Sequence, residues 1–442
     1  MNVLLVSTYE LGRQPFGLAS PAAWLAAQGH QLTCTDLSVD SLSDDAVRAA
    51  NLIAFYLPMH TATRLAAPFI QRIKRLNSAA HLCCYGLYAP LNESYLRKLG
   101  VQAILGGEFE PGLVSLAGRL SKGSSSPQSE PLISLDRLQF RAPLRAGLPP
   151  LADYAKLRVN GSVKRTGYTE ASRGCKHLCR HCPVVPIYQG SFRIVQPDVV
   201  LSDIRQQVAA GAEHISFGDP DFFNGPTHAT RIVEDLHREF PALTYDATIK
   251  IEHLLKHRRL LPALRETGCL YVTSAVESMD DAVLAKLEKN HTRSDFIEVV
   301  REFRSIGLTL APTFIPFTPW TTRESHRELL ELLVDLDLTE NVAPIQLALR
   351  LLIPASSRLL ELDDVRAAVI GFDEPALIHR WKHPDPSMDS LAEQALKLAA
   401  AKGARREIFR RMWNLVADRP LPEDFELMPR ATIPYMDEPW YC

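Results

Sequence analysis

The chain has 442 residues, which is long for one domain and points to two or three. Hydrophobic residues make up 46% and charged residues 23%, so the chain can bury substantial cores. A formal net charge of -2 leaves no basic footprint for nucleic acid, and no apolar stretch is long enough to span a bilayer.

The opening run Met1-Asn2-Val3-Leu4-Leu5-Val6-Ser7 lacks the basic flank and the length of a secretory signal, so the expected location is the cytoplasm. A reducing compartment also suits the 8 Cys, whose spacing is not that of a disulfide framework. Residues 1–120 alternate strand and helix patterns at short intervals, the pattern of a doubly wound parallel sheet in an α/β fold. Strands are predicted over 3–7, 31–37, 52–57, 81–85 and 101–105, and helices over 18–28, 43–50 and 63–76. In open sheets of this kind ligands sit beyond the carboxyl ends of the strands. Those loops are residues 8–16, 58–61, 86–91 and 106–110. Adjacent Cys83 and Cys84 on the fourth strand should point to opposite faces.

Residues 121–160 form a linker and crossing segment. The stretch 121–130 reads SKGSSSPQSE, a flexible composition, and the Pro- and Arg-rich segment that follows should carry no core of its own. From 161 to 354 the alternation resumes with a longer period. Apolar runs at 166–171, 214–217, 243–248, 270–276, 308–315 and 345–352 alternate with helix patterns. Six strand–helix units predict a partial (βα)6 barrel, whose active groups project from the carboxyl ends of its strands. Residues 355–442 look largely helical, with Trp381-Lys382-His383-Pro384-Asp385-Pro386 as a turn between helices.

After the first barrel strand comes Ser172-Arg173-Gly174-Cys175-Lys176-His177-Leu178-Cys179-Arg180-His181-Cys182-Pro183. Three thiols spaced C-x3-C-x2-C bind a metal, either as a Cys3His zinc site with His177 or His181 or as an iron–sulfur site. A cube of four irons normally takes four thiolates, so three leave one iron open to bind something else. Arg173, Lys176 and Arg180 flank the thiols and should favour the thiolate form.

This spacing resembles that of the radical S-adenosylmethionine (SAM) enzymes. The resemblance implies a [4Fe-4S] cluster on Cys175, Cys179 and Cys182, with SAM chelating the open iron. It implies SAM contacts at Gly218 and Asp219 within Phe217-Gly218-Asp219-Pro220-Asp221-Phe222, with Asp221 beside them. A Glu277-Ser278 pair matches the ribose-contacting position of the family, and Lys289-x-His291-Thr292 is also family-like. Lys250 follows the third strand as a candidate for SAM or substrate. Arg350 is a charge inside an apolar run, so it needs a partner, either the SAM carboxylate or a structural Asp or Glu. The element order of residues 1–120, with Gly106-Gly107-Glu108-Phe109-Glu110 after the fifth strand, resembles the cobalamin-binding domain of one radical SAM class. Cobalamin is therefore a candidate cofactor, although no D-x-H-x-x-G motif supplies a cobalt ligand and His60 stands alone.

The whole chain, ending Asp437-Glu438-Pro439-Trp440-Tyr441-Cys442, resembles the CUAEP/CCAEP-tail radical SAM proteins. That likeness implies a tail continuing past Cys442 with selenocysteine, read at a UGA codon, and a catalytic redox role for Cys442. The expected function is reductive SAM cleavage for radical alkyl or methyl transfer to a small molecule or peptide, served by a reductant such as flavodoxin or ferredoxin. Two alternatives are a tRNA methylthiotransferase-like enzyme and a non-catalytic zinc-binding module. The first expects a second Cys triad and a basic end, and neither is in the sequence.

Overall fold

The computed structural model describes residues 1–442 except 124–128, 402, 418, 423–424, 426–433 and 439–442. Part of the predicted flexible linker and the candidate Cys442 therefore lie outside the described residues.

The first five strands are β1 (Asn2–Ser7), β2 (Gln31–Asp36), β3 (Leu52–Tyr56), β4 (His81–Tyr85) and β5 (Ala103–Gly107). With the short β6 (Ile133–Ser134) they form a parallel sheet in the order β2-β1-β3-β4-β5-β6. Side chains alternate across it: Leu4, Val6, Ile53 and Phe55 enter one core, and Val3, Leu5, Leu52 and Ala54 the other. Cys84 falls in the first core and Cys83 in the second, as their adjacency requires. The chain order reverses between β1 and β3, which makes their carboxyl ends the switch point where a crevice opens.

The second domain opens with a hairpin absent from the sequence reading, β7 (Lys156–Val159) and β8 (Ser162–Thr169). Two short antiparallel strands, β9 (Ser172–Gly174) and β10 (Phe192–Ile194), bracket the cysteine loop. The helical repeats then deliver β11 (His214–Phe217), β12 (Thr244–Thr248), β13 (Cys269–Glu277) and β14 (Thr309–Phe314) parallel to β8. Helix starts are fixed by local chemistry: Thr292 and Asp295 form a reciprocal cap, as do Thr322 and Ser325. Gly307 closes the helix Arg293–Ile306 in a left-handed conformation at φ 68°.

The sixth apolar run differs from expectation. Pro344–Leu347 is a 3-10 turn, and the barrel continues there only through a single parallel bridge between Phe317 and Arg350. The Gln346 side chain accepts from the Phe314 N–H at 3.1 Å, so a side chain takes a donor that a full strand would have used. Between β12 and β13 stand two short helices, Ile251–Lys256 and Leu261–Glu266, separated by a 3-10 turn with Pro262 just inside the second.

The C-terminal region is less helical than its composition suggested. A hairpin of β15 (Val369–Asp373) and β16 (Ile378–Trp381) precedes the helices Pro386–Ala399 and Arg405–Val416, so Trp381 ends a strand rather than opening a turn between helices. Finally β17 (Tyr435–Met436) pairs antiparallel with β7. No helix among the described residues is long and apolar enough to cross a membrane.

Candidate active site

The barrel brings the carboxyl ends of β8, β11, β12 and β13 to one mouth, and the cysteine loop lies across it. Cys175 and Cys179 are buried and Cys182 is half-buried. Burial pushes the Cys175 thiol up to about 11 and the Cys182 thiol up to about 12. Thiols so held stay neutral at physiological pH unless a cation joins them. Two buried ammonium groups stand against them. Lys250 Nζ lies 3.7 Å from Cys179 Sγ. Lys289, 2% exposed, acts on Cys179 and Cys182 and bonds Glu277 Oε1 at 3.3 Å.

The basic flanks predicted to support the thiols do not do so. Arg173 turns away to Glu108, Glu110 and Glu170. Arg180 pairs with Glu288 at 2.7 Å and Glu361 at 3.5 Å. Lys176 Nζ donates to the Asn224 carbonyl at 3.0 Å. The positive charge at the sulfurs instead comes from Lys250 and Lys289, which are distant in sequence. Lys250 and the Lys289-x-His291 pattern stand out in the sequence, but nothing there joins either to the thiols.

Glu277 ends β13 with φ 72°, a left-handed conformation that costs a non-glycine residue about 1 kcal/mol and clusters at functional sites. His181 Nε2 lies 3.0 Å from its Oε1. Burial alone would raise this carboxyl, but Lys289 and His181 together hold it down to about 2. Ser278 Oγ accepts from the Asp280 N–H at 3.1 Å. Beyond them a cleft of about 440 Å³ opens, lined by Glu277, Ser278, Pro316 and Thr321 among others.

The acidic segment after β11 is largely occupied by the chain itself. Asp219 accepts from the Ala171 N–H at 2.9 Å and from the Ser172 hydroxyl, tying the end of β11 to the cysteine loop. Burial raises its carboxyl to about 7 despite those bonds. A side chain at Gly218 would come within 2.0 Å of the Tyr168 Oη, so only glycine fits. Asp221 is fully buried and caps the turn Phe222–Asn224 by accepting from Phe223 N. Its Oδ2 faces His253 Nδ1 at 2.7 Å and His177 Nε2 at 3.4 Å. His253 was not singled out in the sequence, since nothing in its spacing joins it to Asp221. Arg350 has its partner in the chain: Asp389 at 2.7 Å, with the Trp381 ring 3.7 Å beneath the guanidinium.

The junction with the first domain sits directly behind the thiols. Arg173, 6% exposed, donates to Glu110 at 2.7 and 2.9 Å and to Glu108 at 3.2 Å, and Tyr188 Oη donates to Glu108 at 3.1 Å. The Gly-Gly-Glu-Phe-Glu stretch is thus a carboxylate clamp on the cysteine loop. Beside it lies a cavity of about 270 Å³, lined by Tyr56, Pro58, Met59 and Leu87 from the first domain and Tyr168, Val184 and Tyr188 from the second. No histidine lines it among the described residues. His60 instead holds the Ala376 carbonyl at 2.7 Å.

Residues 169–333 match the Radical SAM superfamily. The hopanoid C-3 methylase of Methylococcus capsulatus is 24% identical over 339 residues, covering 72% of this chain and 64% of the methylase. The chain thus spans less than two thirds of that relative's length. Two solved structures share the fold. One is the radical SAM methyltransferase TsrM from Kitasatospora setae with tryptophan and a SAM analogue bound, at TM-score 0.63 and 16% identity, covering 92% of this chain and 90% of that one. The other is the cobalamin-dependent SAM radical enzyme OxsB with aqua-cobalamin bound, at TM-score 0.65 and 14% identity, covering 89% and 66%.

Proposed function

Because the chain carries a radical SAM domain, we propose that it binds a [4Fe-4S] cluster through Cys175, Cys179 and Cys182 and cleaves SAM beside it. The reaction we assign is radical methyl or alkyl transfer to a small molecule or peptide. The observation that carries this reading is the pair of buried ammonium groups, Lys250 and Lys289, set against three thiols in one loop. A cube held by three thiolates is anionic, and a buried anion requires buried counter-charge. When bound, the cluster supplies the electron that breaks a carbon–sulfur bond of SAM.

The chain's own residues then have distinct tasks. Lys250 and Lys289 neutralise the thiolates. Glu277, held down by Lys289 and His181, is ready to accept from sugar hydroxyls, and the adjoining cleft of about 440 Å³ suits a nucleoside. Asp219 ties the loop to β11, Asp221 positions His177 of the loop and His253 beside it, and Gly218 allows the close approach of Tyr168. The interdomain cavity, walled by Tyr56, Phe109, Tyr168 and Tyr188 with Glu10, Arg13, Glu170 and Arg173 among them, is where a corrinoid would meet the barrel.

Zinc is the second reading, favoured by Cys175, His177 and Asp221, whose donor atoms lie within 4.8 Å of one another. Anaerobic incubation with SAM and dithionite, followed by mass spectrometry of SAM fragments, separates the two. The proposal expects 5′-deoxyadenosine, S-adenosylhomocysteine or an aminocarboxypropyl product, lost in Cys179→Ala. A colourless zinc protein that leaves SAM intact would refute it.

A further inference from the structure

A closed parallel barrel fills its interior with branched aliphatic side chains. This one does not. Along β12, β13 and β14 the outward positions Tyr245, Ala247, Val272 and Leu310 enter the apolar core. The inward positions are Asp246, Thr248, Tyr271, Thr273 and Thr313, and they line a cavity of about 300 Å³. The pleat has therefore been used to build a polar chamber.

Four charged residues line that chamber, Asp246, Arg13, Arg405 and Glu438. Arg405 is engaged by the Glu340 carbonyl at 2.7 Å and by the Tyr435 ring, and Glu438 accepts from the Tyr9 hydroxyl at 3.5 Å. Asp246 is buried, and its Oδ1 accepts from His214 Nε2 at 2.9 Å and from the Ser216 hydroxyl. Those bonds fix the carboxylate in place, and no Lys or Arg among the described residues pairs with it. The opposite charge comes from the other domain. After β1, residues Glu10–Arg13 form a tight turn in which Arg13 N donates to the Glu10 carbonyl at 3.0 Å. Leu11 and Gly12 both have positive φ, 51° and 68°. Both central residues left-handed is the type I′ geometry, which a leucine adopts only at a cost. A side chain at Gly12 would strike Ala155 and Glu438, so the turn is wedged against the crossing segment and the C-terminal strand.

The turn carries Arg13 to the barrel mouth, where it lines both this chamber and the interdomain cavity. Its guanidinium stands 4.8 Å over the Tyr168 ring and forms no ion pair or hydrogen bond among the described residues. Asp246 acts on it electrostatically yet stays beyond ion-pairing distance. A strained, wedged turn thus holds five unused donors at the edge of a chamber whose other wall holds a fixed carboxylate.

We infer that the chamber takes a small zwitterion of the amino-acid type, its carboxylate gripped by Arg13 and its ammonium turned to Asp246. Guanidinium and carboxylate match as a planar, two-bonded pair. A molecule lacking either charge leaves one of the two protein charges without a partner, and sites built in this way discriminate strongly. This inference rests on the barrel being the catalytic core proposed above and names the substrate class of that core.

The test uses the reconstituted chain and the common L-amino acids as probes, followed by ligand-observed NMR. For each acid that binds, its carboxamide and its N-acetyl derivative are titrated in parallel. The expected result is saturable binding of at least one acid, weakened about tenfold or more by either derivatisation. Arg13→Gln should impose a similar loss on the acid and little further loss on its carboxamide, and Asp246→Asn should behave likewise toward the N-acetyl series. Should a variant fail to fold, the derivative series on the wild type decides alone. The inference is overturned if no amino acid binds, if blocked and free forms bind alike, or if Arg13→Gln weakens acid and amide equally. Iron and sulfide are assayed in the same wild-type samples. A protein without cluster refutes the catalytic reading, whereas a cluster-loaded protein indifferent to every probe refutes only the substrate class.

Discussion

Arg173 gives the sharpest test of how the two domains are joined. It is buried among Glu108, Glu110 and Glu170, and three rings, Phe16, Phe109 and Phe140, stand 5.6, 5.3 and 5.0 Å from its guanidinium. Arg173→Met keeps most of the apolar bulk and removes the cation that pairs with these carboxylates. Breaking a buried ion pair from one side costs about 3–5 kcal/mol. At roughly 2–4 °C per kcal/mol for a domain of this size, the melting temperature should fall by roughly 6–20 °C. The loss should depend on pH in one direction. Burial already lifts Glu108 to about 7 with Arg173 present, and without it the clamp carboxylates rise further. A carboxyl raised above its unfolded value favours the fold below that value, and the advantage is lost as pH rises through the folded value. The variant should therefore lie closer to the wild type at about pH 5.5 than at about pH 8.5. Circular dichroism melts at both pH values measure this. A fall of under about 3 °C, or an equal deficit at both, would refute the argument.

Single Ala replacements of Cys175, Cys179 and Cys182 should each abolish iron loading after anaerobic reconstitution. Cys269→Ala should load like the wild type, since that thiol only donates to the Tyr271 carbonyl in the barrel wall; metal analysis checks both. Glu277→Ala strands the buried ammonium of Lys289 and should cost about 3–5 kcal/mol, read by thermal melting against Glu277→Gln. Arg350→Met removes a partly exposed pair worth at most about 1 kcal/mol and should leave SAM affinity within about twofold by calorimetry. A larger loss of affinity would return Arg350 to the SAM site.

Much of the fold is legible in the sequence because its strands are buried on both faces and read as continuous apolar runs bounded by Gly, Pro and Asn. The run at 345–352 has the same composition yet forms no strand. Pro344 starts a 3-10 turn, and Gln346 takes the backbone donor of β14. Composition cannot reveal that competition. The hairpin β15–β16 escaped because two of its apolar residues, Ile370 and Phe372, are exposed and pack no core. At the site the three thiols are legible from local spacing. The charges that serve them are not, since Lys250 and Lys289 reach the sulfurs only through barrel closure. Asp246 was hidden differently: Thr244, Asp246 and Thr248 alternate with Tyr245 and Ala247, a period-two signal of a polar inner face that an apolar search passes over. Arg13 depends on a strained turn that no propensity predicts.

The central claim is that Cys175, Cys179 and Cys182 hold a cube with one iron left open. Mössbauer spectroscopy of protein reconstituted with iron-57, with and without SAM, tests it most directly. The account predicts one [4Fe-4S] cluster per chain, with a single iron site whose signal shifts when SAM is added. A zinc-filled site, a smaller cluster, or a cube whose four irons all ignore SAM would contradict it.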